Sequence, residues 1–343
     1  MPQLAEYVFV DQSTIGISLF KLETPYADPH VRGCERWEAK TSAYSIFGGF
    51  MEFLHTLYYQ YPGMFHLYIG ILGLLVGSFL NVVVYRLPVM MENEYRRDFL
   101  EYFTPDSPEL KKEQPKFNLM TPRSRCPNCG HLITWWENIP VFSWLILRGK
   151  CHGCHQPISF RYPAVETLTC VLTVIVSYRF HSVEQILPAV ALTWALIALA
   201  FIDYDKMLLP DSITLSFLWA GLLVNYFGIF MELHDAVIGA ALGYGVLWSV
   251  NALFGLIARK NGMGNGDFKL TALFGAWFGY QCLPAIIIIS SVLGLIIGGS
   301  LLIIRKEKSH PFPFGPFIAI AGFVFMLFGK EINEGYMNLV LGA

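Results

Sequence analysis

Two aspartates stand where an apolar chain has least use for a charge. Asp267 lies in GMGNGDFKL (262–270), behind three glycines and ahead of an apolar run, and Asp203 lies in FIDYDKMLLPD (201–211), at the end of another. A carboxylate within or at the edge of a membrane span costs on the order of 2.5–3.5 kcal/mol on insertion scales, so each one asks for a reason. Asp203 falls near the C-terminal end of its expected helix, where the dipole disfavours an anion, so capping does not account for it. Two carboxylates at one membrane depth can share a proton and activate a water between them. One then acts as base while the other protonates a carbonyl oxygen. Neighbouring acids have plainer readings. Asp211, after Pro210, is expected to cap a helix and Asp205 to face water, and Asp267 taken alone is also consistent with a cap. Gly262, Gly264 and Gly266 are expected to allow unusual dihedrals and a close approach to a substrate strand. A phosphate-cradling loop would require a following Gly-Lys-Ser/Thr, which is absent here.

A second constellation is Cys126-Pro-Asn-Cys129 with Cys151-His-Gly-Cys154. Two such pairs present four thiolates tetrahedrally to Zn²⁺, and a closed four-ligand shell is structural rather than catalytic. Such a site supplies roughly 10–16 kcal/mol of apparent binding energy to a loop with little core of its own. The alternative, disulfides or free thiols, fits less well in a basic loop expected to face the reducing cytoplasm. With four thiolates in place, His131, His152 and His155 read as surface residues rather than ligands. Cys170 and Cys282, inside apolar runs, read as small buried residues.

The elements that must position these groups are membrane helices. The chain has 343 residues, 54% of them hydrophobic and 15% charged, a composition too apolar for an ordinary soluble domain. At about 20 residues per span, candidate transmembrane helices fall near 64–86, 162–180, 185–203, 211–231, 235–258, 268–282, 284–304 and 314–329. This predicts an all-α polytopic membrane protein of about eight spans. Most of its Lys and Arg lie in the segment between the first two spans or in short clusters at Lys206, Arg259–Lys260 and Arg305–Lys308. The positive-inside rule then places the four-cysteine loop and both aspartates on the cytoplasmic side. The net charge of -2 does not point to nucleic acid. Three regions are expected: an N-terminal tail at 1–62, a first span with the zinc-binding loop at 63–161, and a transmembrane core at 162–343 that carries the aspartates. Residues 1–50 contain no signal-peptide pattern. They read as a dispensable tail or an upstream start-site extension, because MEFLHTLYYQYPGMFHLYIG from Met51 resembles a natural beginning.

Taken in order, LVGSFLNVVVYRLP (75–88), CPNCG (126–130), WENIPVFSWLILRGKCHGC (136–154), ISFRYPAVE (158–166), FIDYDKMLLPD (201–211), GMGNGDFKL (262–270) and PFGPFIA (313–319) resemble the bacterial type IV prepilin peptidases of pilus assembly and type II secretion. The likeness runs from about residue 51 to about 330. It implies an inner-membrane aspartic protease of the GxGD type, with Asp203 and Asp267 as its catalytic pair. Such enzymes cut a short basic leader from prepilins and pseudopilins at the cytoplasmic face, then methylate the new N-terminal residue, commonly Phe, with S-adenosylmethionine. The tetracysteine loop goes with both activities. No glycine-rich dinucleotide turn marks the methyl donor's site. The candidates are Arg148 and Lys150 beside the second cysteine pair and Glu166 one turn inside the second span, although Arg148 and Lys150 fit membrane-surface anchoring equally well. Other possible functions are a peptidase without methyl transfer, a proton-coupled transporter with its acids as a relay near the bilayer midplane, and a membrane-anchored zinc-ribbon adaptor. The particular prepilins and the oligomeric state are not legible.

Overall fold

A computed structural model describes residues 35–105, 117–259, 262–300 and 312–341. Lys260, the 305–308 cluster, most of the N-terminal tail and part of the charged stretch after the first span lie outside the described residues. The chain divides into two compact units, 1–53 and 54–343. In the first, the described residues are helical and open α1 (Glu35–Gln60). The second holds all of the candidate site residues.

Among the described residues there is helix and no named strand. After α1 come α2 (Pro62–Phe103), α3 (Phe142–Ile146), α4 (Arg161–Arg179), α5 (Val183–Lys206), α6 (Asp211–Tyr226), α7 (Leu233–Ala258), α8 (Asn265–Phe278), α9 (Leu283–Leu293), which continues into a π-helical turn at Gly294–Gly298, and α10 (Gly315–Leu341). Local signals explain several boundaries. Pro62 opens α2, where a missing N–H costs nothing. The Ser182 side chain accepts the Gln185 N–H to cap α5, which ends on Met207 in the left-handed conformation.

Each expected span is helical over most of its described residues, and among the described residues five helical segments are long and apolar enough to cross a membrane: α2, α5, α7, Tyr280–Gly298 and Gly315–Gly335. The other three differ for physical reasons. α6 and α8 have 16 and 14 residues, short of the roughly 20 that a bilayer requires. α4 is long enough, but Arg161, Glu166 and a row of threonines dilute its apolar character.

α8 lies at the centre of the second unit. From Asp267 to Phe278 every residue but Lys269 is buried, the pattern of a helix apolar on all sides because other helices surround it. Gly275 of α8 meets Gly239 of α7 backbone to backbone, and Gly322 of α10 lies against the Phe274 ring. Asn225 of α6 donates to the Ala276 and Trp277 carbonyls at 2.9 and 3.0 Å, and its Oδ1 accepts the Phe230 and Met231 N–H groups. A buried amide is thereby fully used at the C-terminal end of α8. A second packing centre joins α2, α4 and α5 through Leu80, Val165, Ile197 and Ala198. Gly70, Gly73 and Gly77 let α2 approach α4 closely; a Cβ on Gly77 would stand 2.8 Å from the Glu166 Cα.

The cysteine-bearing segment between α2 and α4 is tethered at its base by Arg86. This buried guanidinium donates to the Asn118 and Pro122 carbonyls at 2.9 and 2.7 Å and lies over the Phe117 ring.

Candidate active site and metal centre

Three helix ends converge on the aspartates. Asp203 is in the last turn of α5 and Asp267 in the first turn of α8. Both carboxylates are buried, 5% and 8% exposed, and the Asp203 charge acts on Asp267. Gly315, the first residue of α10, donates its N–H to Asp203 Oδ2 at 2.9 Å. Gly264 occupies the cap position of α8, where no side chain caps the helix, so Asp267 is not the cap that its position suggests. A pair of buried carboxylates in electrostatic contact can hold one proton between them and present complementary acid and base to a substrate carbonyl and a water.

The neighbouring acids depart from their expected roles. Asp211 does not cap α6: Pro210 occupies that position, and both Asp211 oxygens take the Lys269 ammonium at 2.7 Å. Asp205 does not merely face water, because Arg161 grips it with two bonds of 2.9 and 2.6 Å and stacks over Phe201. These pairs are partly exposed and form a polar rim around the buried pair. The glycines before Asp267 also act differently from expectation. None of the three has a positive φ. Gly262 and Gly266 are required for space, since a Cβ would press on Phe254 at 2.9 Å and on Leu209 at 2.8 Å, whereas a Cβ on Gly264 would meet nothing closer than Asp267 Oδ2 at 3.7 Å.

The four cysteines of the loop come together as free thiols, their sulfurs all within 4.8 Å of one another. Cys126 and Cys154 are 3.8 Å apart and Cys129 and Cys151 3.9 Å apart. Zn–S bonds of about 2.3 Å in a tetrahedron set sulfurs about 3.8 Å apart, so the donor set fits the ion. Backbone N–H groups of Cys129 and Asn128 bring Cys126 down to about 6 and that of Gln156 lowers Cys154, while burial and the neighbouring sulfurs push Cys129 up, so the cluster favours the thiolate a metal requires at two of its positions.

Arg148 and Lys150 are exposed, and their side chains make no ion pair among the described residues. Glu166 is buried. Its carboxylate accepts the Val141 N–H at 2.7 Å and a bond from Ser78. It thereby anchors a β-branched residue held at φ 61° immediately before α3. Among the described residues, no hydrogen bond or ion pair joins Glu166 to Arg148 or Lys150. Between α3 and α4 runs an apolar groove of about 390 Å³, lined by Val141, Trp144, Leu145, Phe160, Pro163 and Leu168. Residue types alone did not single out Gly315, Arg86 or this groove. Gly315 donates a backbone N–H and Arg86 reaches backbone carbonyls far along the chain, and the groove exists only once α3 is laid beside α4.

Fold and site together define a class: a helical membrane protein with a buried aspartate pair at converging helix ends and a four-thiol cluster on a loop. Comparison with known proteins agrees. Residues 71–180 match the bacterial peptidase A24 N-terminal domain, and residues 190–299 match the type IV leader peptidase family. The prepilin leader peptidase/N-methyltransferase of Aeromonas hydrophila is 49% identical over 289 residues, covering 84% of this chain and 99% of the relative. The proteins of the same name from Pseudomonas putida and Pseudomonas aeruginosa are each 48% identical, over 84% and 81% of this chain and 99% and 96% of their own lengths. No solved structure matches. The chain belongs to the type IV leader peptidase family.

Proposed function

We propose that this chain cleaves the basic leader from type IV prepilins and pseudopilins at the cytoplasmic face of the bacterial inner membrane, and then N-methylates the new N-terminal residue, commonly Phe, using S-adenosylmethionine. The observation that carries the peptidase half is the buried, electrostatically coupled pair Asp203 and Asp267 at the meeting of α5, α8 and α10. In this mechanism one carboxylate takes a proton from water as the water attacks the scissile carbonyl. The other, protonated at the outset, gives its proton to the carbonyl oxygen, and collapse of the tetrahedral intermediate returns a proton to the leaving amine. The Gly315 N–H keeps Asp203 from rotating away.

The methyl-transfer half rests on kinship with relatives that carry both activities in their names. Cys126, Cys129, Cys151 and Cys154 hold one structural Zn²⁺, which would fold the loop and take no part in proton transfer. Arg148 and Lys150, both exposed and without an ion-pair partner among the described residues, are the contacts for the methyl donor or substrate, with Glu166 fixing the α3 segment beside them. Residues 1–62 form a tail, 63–161 the first span and zinc loop, and 162–343 the peptidase core. All eight expected helices are taken to cross the bilayer, α6 and α8 as short interior spans. The basic loops then face the cytoplasm. A proton-relay transporter is less well supported, because the aspartates adjoin a rim of partly exposed ion pairs rather than lying remote from one.

The test is cleavage of a prepilin in liposomes by wild type, Asp203→Asn and Asp267→Asn, with S-adenosylmethionine present and products read by mass spectrometry. Loss of cleavage in both variants, with methylation of a pre-cut pilin retained, supports the assignment. Cleavage by either variant overturns it.

A further inference from the structure

Beside the four thiols lies a cluster that the peptidase mechanism does not use. Glu137, on the short 3-10 turn Trp136–Asn138, has a side chain only 5% exposed. Its Oε2 accepts both the N–H and the hydroxyl of Thr134 at 2.7 Å. Its Oε1 faces two imidazoles, His131 Nε2 at 3.1 Å and His152 Nδ1 at 3.9 Å. The three donor atoms lie within 4.8 Å of one another. His131 follows the first cysteine pair and His152 lies inside the second, so the cluster spans the two halves of the loop by a route separate from the thiols.

We propose that His131, Glu137 and His152 form a second divalent-metal site. Two imidazoles and one carboxylate are the donors of open zinc sites, which keep a position for solvent. That set selects Zn²⁺, Co²⁺ or Ni²⁺ over Mg²⁺ and Ca²⁺, which prefer oxygen alone. Metal–ligand bonds of about 2.0–2.2 Å set tetrahedral donors about 3.4 Å apart, so the Glu137 to His131 spacing of 3.1 Å is near what an ion requires and His152, 3.9 Å from the same carboxylate oxygen, has to move inward. His152 can travel, because its side chain is 58% exposed, and the 30% exposure of His131 leaves the site open to solvent. Thr134 does for Glu137 what outer-shell partners do for ligating carboxylates: it fixes the orientation and leaves lone pairs on the other oxygen for the ion. The site stands apart from the aspartate pair and does not depend on its role.

The experiment uses full-length protein, purified without a polyhistidine tag and already carrying one zinc per chain, titrated with Zn²⁺ by calorimetry and then assayed for metal content. The wild type is expected to take up a second equivalent. His152→Ala and Glu137→Gln should each weaken that uptake at least tenfold while the first zinc stays bound. Because Glu137→Gln touches a buried group and can disturb the loop, His152→Ala, at an exposed position, carries the decision. A wild-type zinc content that stays at one per chain after titration, or second-equivalent binding as tight in His152→Ala, would overturn the proposal and leave Glu137 as a hydrogen-bond acceptor for Thr134 and His131.

Discussion

The backbone N–H of Gly315 holds Asp203 Oδ2 at 2.9 Å, and a Cβ on that glycine would stand 2.6 Å from the same oxygen. The first residue of α10 thus both orients the carboxylate and leaves room for it. Gly315→Ala is expected to push the carboxylate aside. A displacement near 1 Å costs on the order of a hundredfold in rate when geometry is critical. Prepilin cleavage should fall by about that factor, while methylation of a pre-cut pilin and detergent-state thermal unfolding change little. Cleavage within threefold of wild type would show that the Gly315 contact is dispensable.

The Gly239–Gly275 crossing makes a prediction about stability. A Cβ on either residue would run into the other's backbone, and the buried residues of α7 are only Ala236, Gly239 and Gly243. Its attachment therefore depends on close approach rather than on large side chains. Gly275→Ala is expected to destabilise the bundle by about 1–3 kcal/mol, the usual cost of overpacking. Chemical or thermal unfolding in detergent checks this, with Gly245→Ala, where a Cβ meets nothing within 4 Å, as the control.

How far these features can be read before folding depends on whether their cause is local. Paired thiols and carboxylates in apolar runs declare themselves by type and spacing, and the structure brings both sets together. Asp211 and Asp205 invited local rules, cap and water. Their actual partners, Lys269 and Arg161, lie 58 and 44 residues away and offer a full opposite charge, which outweighs those weaker options. The glycines near Asp267 suggested backbone freedom, but Phe254 and Leu209 give the steric reason at two of them. Gly315 escaped residue-type reasoning because a donor that is a backbone N–H leaves no mark on the side-chain pattern. Glu137, a charge within a polar loop, gave no sign by type or spacing of the Thr134 and His131 groups that surround it.

Arg161 joins the start of α4 to the helix end that carries Asp203, gripping Asp205 with a fork and covering Phe201. The partners are 41% and 27% exposed, so solvent screens the pair and its net worth is about 0.2–1 kcal/mol. Arg161→Ala is expected to lower stability by no more than that, and cleavage only severalfold, through a looser last turn of α5. Arg161→Lys, which keeps the charge but loses the fork, should fall between the two. Thermal unfolding and cleavage rates on the same preparations test this. A loss of cleavage as deep as in Asp203→Asn would mean that Arg161 touches the substrate.

Removing metal from the four-thiol centre should separate the loop from the bundle. The described part of the loop has few buried apolar residues of its own, so a zinc ion on the four thiols, worth roughly 10–16 kcal/mol of apparent binding energy, would decide whether it folds. The aspartates, by contrast, are held by α5, α8 and α10. Chelation, or Cys151→Ser, is therefore expected to red-shift the emission of Trp144, which packs on Gly149 and donates to the Ile158 carbonyl, and to open the loop to protease, while far-UV helicity stays near its starting value. Methyl transfer should be lost. Cleavage should survive at a reduced rate, because Arg161 and Asp205 still join α4 to the helix end that carries Asp203. Complete loss of cleavage with helicity intact would instead place part of the peptidase substrate site on the zinc loop, and the apolar groove between α3 and α4 would be the first place to look for it.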